Sequence, residues 1–147
     1  MNIVLDDLSA SDNYCDYFNL LAKLTEISVD KITKEQFLQR LNLIKSNPLH
    51  KIIVAKHEGK IVGTITILIE PKYIRDLSYV AHVEDVAVDP LFRNLGIGKI
   101  LLTKALNMAK EYDCYKIILD CSAECVTYYN KYGYEIKGVQ MAQYLAK

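Results

Sequence analysis

The apolar positions in the first third of the chain recur at helical spacing and predict two helices. Residues 11–28 form the first helix, whose apolar stripe consists of Tyr14, Phe18, Leu21 and Leu24. Thr33 and Gln36 stand three residues apart ahead of a second periodic stretch, which is the spacing of a capping box. The stripe of this second helix consists of Phe37, Leu41 and Ile44, and Pro48 follows its end.

The middle of the chain changes to the pattern of β-strands. Residues 51–70 contain two β-rich runs on either side of a polar turn at 57–60, which predicts a hairpin. A basic loop over residues 71–75 leads to a third β-rich run at 80–88. These three runs are expected to form the antiparallel part of a sheet.

Helix and strand signals alternate over the last third of the chain. Residues 98–112 are amphipathic, and the apolar stripe is Ile97, Leu101, Ala105, Met108 and Tyr112. Residues 116–121 predict a short buried strand, 123–131 a short helix that Gly133 ends, and 134–144 a weaker strand. The order indicates an α/β (α+β) fold, with a mixed, mostly antiparallel sheet and helices on its faces.

Length and charge narrow the classes of protein. The 147 residues contain no repeat and no linker, so we expect one domain over residues 1–147. Lysine plus arginine equal aspartate plus glutamate, at 18 each, so no overall field favours nucleic acid or an anionic membrane. No apolar run reaches the length of a membrane span, and the acidic N-terminal stretch is unlike a secretory signal. We therefore expect a soluble, cytoplasmic protein.

The cysteines lack the spacing of a metal site or of a redox pair. They form no CxxC pair, and no histidine stands at zinc spacing from them: Cys15, Cys114, Cys121 and Cys125. Free thiols in a reducing compartment are the simplest interpretation, and no metal cofactor is expected.

A change of phase in the third β-rich run suggests a β-bulge. Val86 and Val88 are in phase with each other but out of phase with Val83, and one extra residue near Glu84 and Asp85 restores the phase. A bulge also turns backbone N–H and C=O groups away from the ladder, where they are free to bind a ligand. The alternative is a strand buried on both faces with a carboxylate at its edge.

A glycine-rich basic turn, RNLGIGK, opens the amphipathic helix. Gly96 and Gly98 let the backbone approach a ligand closely, and the first-turn N–H groups form a ready anion site. Arg93 and Lys99 add positive charge. The turn lacks the Ser/Thr and the spacing of a P-loop and the third glycine of the dinucleotide fingerprint. A tight turn without a ligand is the alternative.

This arrangement resembles the pyrophosphate-binding turn of the GNAT acetyltransferase superfamily, which carries (R/Q)xxGxG between a strand and an amphipathic helix. HVEDVAV, RNLGIGKILL, YKIILDC and YYNKYGY stand in the order and spacing of its glucosamine-6-phosphate N-acetyltransferase branch. LTEIS (24–28) and IEPKYI (69–74) are similar to the substrate segments of that branch. The similarity covers most of residues 20–141 and implies a GNAT fold with a central bulged strand.

The resemblance implies acetyl-CoA as co-substrate and a set of residues that bind it. The pantetheine arm is expected against the backbone of Val86, Ala87 and Val88. The pyrophosphate is expected on Arg93, Asn94, Leu95, Gly96, Ile97, Gly98 and Lys99. Tyr129 and Lys131 complete the implied cofactor site.

The resemblance also implies a set of residues that bind the amino sugar. These are Thr25, Lys72, Arg75, Glu84, Asp85, Asp120 and Cys121. Lys72 and Arg75 are equally compatible with ordinary solvated loop charges, and Asp120 with a helix cap. Cys121 is better interpreted as a structural thiol than as a nucleophile, because no histidine lies near it in sequence.

Acetyl transfer to an amine needs a neutral nitrogen, a polarised carbonyl and a proton for the leaving thiolate. Glu84 or Asp85, acting through water, or the backbone carbonyl of Asp120 can accept the amine proton. A carboxylate also raises the pKa of an ammonium, so the carboxylates are expected mainly to orient the substrate. Tyr129 is the implied acid for the sulfur, although a tyrosine is more often a packing residue. The histidines form no catalytic pattern and are interpreted as structural or surface groups: His50, His57 and His82.

Two positions depart from the family pattern. Cys125 stands where the family carries an asparagine for the pantetheine, which predicts one weaker contact. The last segment, QMAQYLAK, lacks the arginine that the family presents to the sugar phosphate. The phosphate must then be held by Lys72, Arg75, Lys137 or Lys147, or the preferred substrate is different.

The function implied is acetyl transfer from acetyl-CoA to glucosamine 6-phosphate by direct attack in a ternary complex, in UDP-N-acetylglucosamine biosynthesis. The alternatives are a GNAT that acetylates another small amine or a peptide N-terminus, and a non-catalytic acyl-CoA-binding module. The resemblance further implies a homodimer that packs or exchanges C-terminal strands, with which the apolar run at 134–145 is compatible.

Overall fold

The computed structural model describes residues 1–146, so Lys147, one of the predicted phosphate ligands, lies outside the described residues. Its strands are β1 (Val4–Asp7), β2 (His50–His57), β3 (Lys60–Pro71), β4 (Tyr79–Val88) and β5 (Cys114–Leu119). Its helices are α1 (Tyr14–Leu21), α2 (Lys34–Lys45), α3 (Ile74–Leu77), α4 (Ile97–Glu111) and α5 (Val126–Asn130). Short 3₁₀ turns are found at Val29–Lys31, Pro90–Phe92 and Ala123–Cys125.

The described strands form one sheet in the order β1-β2-β3-β4-β5. The first three pairings are antiparallel and the β4–β5 pairing is parallel, which confirms the mixed, mostly antiparallel sheet. The predicted hairpin is β2–β3, and its turn residues Glu58 and Gly59 have φ of 49° and 79°. Two positive φ values are typical of the tight turn that matches the twist of a hairpin.

The predicted bulge is present in β4, inside the sheet. Thr64 pairs with Ala87 and Thr66 with Glu84, so one residue of β3 faces two residues of β4. Asp85 sits in the extra position, with a φ of 49°. The bulge therefore turns the β4 backbone at the same point where the carboxylates stand.

The bulge also restores the phase of the strand. Val83 belongs to the core cluster that packs under α4, and Val86 and Val88, which follow the bulge, pack against that same cluster. Without the extra residue, the side chains after position 85 would point to the opposite face of the sheet. This confirms the interpretation of the valine pattern.

Helices cover both faces of the sheet, as predicted. On one face, the stripe of α4 is buried: Ile97, Leu101, Ala105 and Met108. On the other face, α1 and α2 bury Tyr17, Leu20, Phe37 and Leu41. The capping box at the start of α2 is confirmed, because Thr33 accepts from the Gln36 N–H at 3.1 Å and Gln36 accepts from the Thr33 N–H at 2.9 Å.

The first helix is shorter than predicted. Helix α1 begins after Asn13, whose side chain accepts two first-turn N–H groups, and it ends at Leu21 instead of at residue 28. Leu24 is 48% exposed, so a further turn would bury little apolar surface and tertiary packing would not support it. Three residues of the predicted stripe, Tyr14, Phe18 and Leu21, pack half-buried against the core, and the fully buried residues of this helix are Tyr17 and Leu20.

Three further differences concern strands. Strand β1 was not predicted, because its four residues give too short a pattern and its pairing with β2 is long-range. Strand β5 is half-buried instead of buried, since it lies at the edge of the sheet. The strand predicted over residues 134–144 is wrong for the described chain, where this segment lacks regular structure and no neighbouring strand supplies backbone partners.

Candidate active site

Three carboxylates lie near one another where β4 and β5 part, close enough to interact electrostatically. The parallel pairing of the two strands ends at Val83 and Leu119. The next residues along each strand are Glu84, followed by Asp85, and Asp120, and all three are exposed. The chain positions them by geometry alone, because parallel strands that run in register bring their carboxyl ends to one edge.

The carboxylates interact with one another electrostatically. Partial burial is the largest cause that raises the pKa of Glu84, and the negative charges of Asp85 and Asp120 raise it further. His82, two residues earlier on the same face of β4, acts in the opposite direction. A cluster of this sign attracts an ammonium group and orients it toward the bulge.

The backbone after the bulge lacks a strand partner on the β5 side. Ala87 and Val88 pair with β3, and the pairing with β5 stops at Val83. Val86 is half-buried, as is Val88, while Ala87 is buried on the opposite face. An extended ligand can therefore add to the sheet edge here through main-chain hydrogen bonds, in the way a strand would.

The start of α4 forms a basic anion site. Gly96 is the N-cap, with a φ of 84° and no side-chain capping bond. The first intrahelical bond runs from the Ile100 N–H to the Gly96 carbonyl at 3.1 Å, so the earlier N–H groups have no intrahelical acceptor. Within residues 1–146, Arg93 and Lys99 form no ion pair. Both are exposed beside this turn.

The predicted diphosphate residues fit an anionic cofactor. Arg93, Asn94, Leu95 and Gly96 form the exposed turn, and Ile97, Gly98 and Lys99 form the first turn of the helix. A Cβ on Gly96 would meet no atom within 4 Å, so the approach to the backbone is open. Unpaired N–H groups, two free cations and an open backbone together match the needs of a diphosphate.

Tyr129 stands on α5, near the end of β5. Its ring makes edge contacts with Tyr128, at a centroid distance of 5.1 Å, and with Tyr134, at 6.0 Å. Burial raises the pKa of Tyr129 to about 12, and Cys125 and Cys121 make smaller contributions in the same direction. The hydroxyl is therefore protonated at neutral pH and is able to donate.

Glu70, a carboxylate on β3, pairs with two basic side chains next to the site. One oxygen of Glu70 lies 2.8 Å from Nε2 of His82 and 3.1 Å from Nζ of Lys72. His82 is the first cause that holds the pKa of Glu70 below its usual value, and Lys72 is the second. Lys72 is thus fixed at one end of a polar row that continues along β4 to Glu84.

Arg75 lies in α3, which is a single left-handed turn instead of a regular right-handed α-helix. Three consecutive residues have positive φ: Arg75 at 54°, Asp76 at 58° and Leu77 at 65°. The guanidinium carbon of Arg75 sits 5.1 Å from the ring centroid of Tyr115, and Nζ of Lys116 is 5.4 Å from the same ring. Cation–π contacts of this kind hold the two cations at the β5 edge.

Four further predicted residues are exposed. Thr25 is exposed in the loop that follows α1, and Cys121 is exposed directly after Asp120. Lys131 is the exposed C-cap of α5. Lys137 pairs with Glu135 at 3.1 Å in the C-terminal segment.

At Cys125, the position of the family's asparagine, the sulfur accepts a hydrogen bond from Oγ of Ser122 at 3.4 Å. The thiol therefore takes part in the turn before α5. A thiol is a weaker hydrogen-bonding group than a carboxamide, in keeping with the weaker pantetheine contact expected from the sequence.

Sequence reasoning missed several residues of this region. Glu70 and His82 meet diagonally across paired strands, a relation that register alone reveals, and His82 had been interpreted as a structural or surface group. Gln140 reaches Asp120 from the C-terminal segment at 3.1 Å. Tyr128 packs against Gly98. In the sequence, only its position next to Tyr129 indicated that it belongs to the site.

Comparison with known proteins agrees with this geometry. The model of the Acetyltransferase (GNAT) family matches residues 15–134. This chain belongs to the GNAT acetyltransferase family. Its membership is consistent with the bulged strand, the glycine-rich turn and the helix that follows it.

Two relatives of this GNAT chain are named glucosamine 6-phosphate N-acetyltransferases. The glucosamine 6-phosphate N-acetyltransferase of Arabidopsis thaliana is 37% identical over 140 residues, which are 93% of each chain. The glucosamine 6-phosphate N-acetyltransferase 1 of Dictyostelium discoideum is 36% identical over 154 residues, covering 99% of this chain and 96% of that protein. The crystal structure of the Arabidopsis thaliana enzyme superposes with a TM-score of 0.93 at 35% identity, covering 99% of this chain and all of that one.

Within residues 1–146, no three His, Cys, Asp or Glu side chains are grouped so as to hold a metal ion. None of the helices in that range combines the length and the apolar character needed to cross a membrane.

Proposed function

We propose that this chain, as a single GNAT domain, transfers the acetyl group of acetyl-CoA to the amine of glucosamine 6-phosphate. The products are N-acetylglucosamine 6-phosphate and CoA, and the amine attacks directly in a ternary complex. The observation that carries the proposal is the juxtaposition of Glu84, Asp85 and Asp120 at the point where β4 and β5 part. The relatives described above, which bear this activity in their names, support the choice of substrate.

The carboxylates bind and orient the amine. The repulsion that raises the pKa of Glu84 is relieved when a cation enters between it, Asp85 and Asp120. The same attraction holds the proton on the substrate, so a group must accept that proton before attack. Glu84 through a water molecule, or the backbone carbonyl of Asp120, fills this role.

The bulge and the glycine turn hold the acyl donor. Acetyl-CoA supplies the acetyl group as an activated thioester. The backbone of Val86, Ala87 and Val88, which lacks a strand partner on the β5 side, binds its pantetheine arm. N–H groups freed at the bulge polarise the carbonyl under attack. The turn from Arg93 to Lys99 binds the diphosphate, and Lys131, the exposed C-cap of α5, binds the phosphate end of the cofactor.

Tyr129 protonates the departing sulfur. Its hydroxyl, with a pKa of about 12, is protonated at neutral pH and donates to the sulfur as the C–S bond breaks. Because the thiolate is a weaker base than the phenolate, the transfer is complete only when the proton lost by the attacking amine replaces the one on Tyr129. The hydroxyl therefore acts chiefly by a hydrogen bond that strengthens as charge develops on the sulfur. Cys121 and Cys125 take no covalent part in this mechanism.

The sugar phosphate is bound by Lys72 and Arg75, and Thr25 and Cys121 line the sugar. Glu70 holds Lys72 in a fixed position at 3.1 Å, and Tyr115 holds Arg75. The absence of arginine from QMAQYLAK favours one rival, a GNAT that acetylates another small amine or a peptide N-terminus. Under the proposed function, binding of the sugar phosphate therefore depends on Lys72 and Arg75.

As part of this proposal, the chain acts as a homodimer in the cytoplasm and supplies UDP-N-acetylglucosamine synthesis. Free cysteines persist in that reducing compartment. The C-terminal segment leaves large apolar side chains exposed, namely Ile136, Val139, Met141, Tyr144 and Leu145. A second copy that packs on this segment would cover them, and light scattering tests the dimer.

A CoA-release assay with three amines tests the activity. Glucosamine 6-phosphate, glucosamine and spermidine are compared at equal acetyl-CoA, and kcat/KM is expected to be highest for glucosamine 6-phosphate. Equal rates with glucosamine would favour the rival GNAT. Binding of acetyl-CoA without turnover on any amine would favour a non-catalytic acyl-CoA-binding module.

A further inference from the structure

Gly98, the second residue of α4, gives up its side-chain space to Tyr128. A Cβ built on Gly98 would lie 2.0 Å from the hydroxyl oxygen of Tyr128 and 3.3 Å from its Cζ. No real Cβ approaches an oxygen so closely, so any larger residue at position 98 would displace the hydroxyl. The glycine therefore gives this tyrosine access to the first turn of α4.

The ring of Tyr128 is held from two sides. Tyr129 contacts it edge-on at a centroid distance of 5.1 Å and an angle of 81°, and Tyr132 at 5.2 Å and 68°. Burial is the first cause that raises the pKa of Tyr128 to about 12, so the hydroxyl is a donor at neutral pH. The side chain is 36% exposed, which leaves it accessible to a ligand from solvent.

The hydroxyl sits among donors of the same kind. The N–H groups of Ile97, Gly98 and Lys99 have no intrahelical acceptor, and the N-cap Gly96 offers no side chain. The Tyr128 hydroxyl lies against the middle one of these three residues. A phenylalanine would supply the same aromatic packing without adding a donor to this group.

We propose that the hydroxyl of Tyr128 donates a hydrogen bond to the diphosphate of acetyl-CoA bound at the start of α4. This inference rests on the proposed function, because it takes the diphosphate as the ligand of that turn. The edge contact between Tyr128 and Tyr129 then joins the diphosphate site to the group that protonates the sulfur.

Equilibrium binding by calorimetry tests the inference with two probes. CoA carries the diphosphate, and pantetheine carries the same thiol arm without it. In Y128F, the Kd for CoA is expected to rise about tenfold, as for the loss of one hydrogen bond to a charged group, while the Kd for pantetheine stays unchanged. The ratio of the two constants is internal to each variant, so a general folding defect cannot imitate this result.

A matched control is available at the other end of the same helix. Tyr112 is the C-cap of α4, and Y112F removes a hydroxyl without touching the first turn. The ratio of constants is expected to match the unmodified protein in Y112F and to rise only in Y128F. An unchanged ratio in Y128F would overturn the inference, whereas failure of the unmodified protein to bind CoA would overturn the proposed function itself.

A double substitution provides a second, independent measurement. Gly98→Ala forces the Tyr128 hydroxyl away, so G98A is expected to melt at a lower temperature and to bind CoA more weakly. In G98A/Y128F the clash at 2.0 Å is gone and the 3.3 Å contact remains, so the melting temperature should recover most of its loss. Additive effects of the two substitutions would contradict the placement of the hydroxyl.

Discussion

The side-chain amide of Gln140 donates a hydrogen bond to a carboxylate oxygen of Asp120 at 3.1 Å. The C-terminal segment thereby reaches a proposed catalytic residue from 20 positions along the chain. Residues 135–146 are otherwise exposed and lack regular structure. This hydrogen bond therefore ties the segment to one of the substrate carboxylates.

Removal of that contact should release the segment. In Q140L the amide donor is lost, and the population of the released state should rise about tenfold, as expected for one hydrogen bond to a charged group. Tryptic cleavage after Lys137, followed by mass spectrometry, measures this population. Q143L is the matched control, since Gln143 is an exposed glutamine of the same segment. Equal cleavage rates in both variants would show that Gln140 does not hold the segment.

The contrast between this segment and the rest of the fold shows how far local pattern reaches. The bulge was predictable because Val83, Val86 and Val88 record on which face each side chain is buried. The α4 stripe and the capping box were predictable for the same reason, since each depends on residues a few positions apart. The 134–144 strand failed because a strand needs backbone partners, which the apolar pattern does not supply.

The residues of the candidate site also divide into those that the sequence could predict and those that depend on tertiary packing. The resemblance to the family implied Glu84 and Asp120 as site residues, and the anion turn followed from glycine spacing. The Glu70–His82 pair depends on the register between β3 and β4, and the Tyr128–Gly98 contact depends on how α5 packs on α4. No spacing along the chain encodes these two relations.

Replacement of Tyr129 by phenylalanine should slow turnover without weakening the binding of the cofactor. Loss of a positioned proton donor typically lowers the rate by about 10²- to 10⁴-fold, so kcat should fall within that range. The Kd for CoA should stay within a factor of about two, because the ring and its contacts with Tyr128 and Tyr134 are retained. Stopped-flow CoA release and calorimetry measure the two quantities. A kcat close to that of the unmodified protein would remove Tyr129 from the mechanism.

Replacement of Lys72 should raise the KM only for substrates that carry a phosphate. In K72M, the KM for glucosamine 6-phosphate should rise about tenfold, since one charge-assisted hydrogen bond is lost. The KM for glucosamine should not change. Steady-state kinetics with both sugars measures the difference.

K137M is the matched control for the phosphate site. Lys137 is 82% exposed and pairs with Glu135 in the C-terminal segment, so its removal should leave both KM values unchanged. A selective effect in K137M and none in K72M would move the phosphate from the β3 end to the C-terminal segment.

Replacement of each charged neighbour of Glu84 should shift the pKa of Glu84 in a direction and order that its surroundings predict. After burial, Asp85 is the larger cause that raises the pKa of Glu84 and Asp120 the smaller, while His82 lowers it. D85N should therefore lower this pKa more than D120N does, and H82N should raise it. Carbon-detected NMR titration of the Glu84 carboxyl, assigned with E84Q, measures each shift.

The same shift fixes the sign of its effect on stability. Because the folded-state pKa of Glu84 lies above its usual value of 4.5, the folded chain binds more protons than the unfolded chain between those two values. The contribution of Glu84 to the free energy of unfolding is therefore full below pH 4.5 and is lost as pH rises through the folded-state pKa. Glutamine does not titrate, so E84Q should not lose this contribution. As the pH rises from 4 to 7, the free energy of unfolding of E84Q should therefore increase relative to that of the unmodified protein. Urea unfolding at both pH values measures it, and an opposite trend would mean that Glu84 is held by a cation instead of repelled by its neighbours.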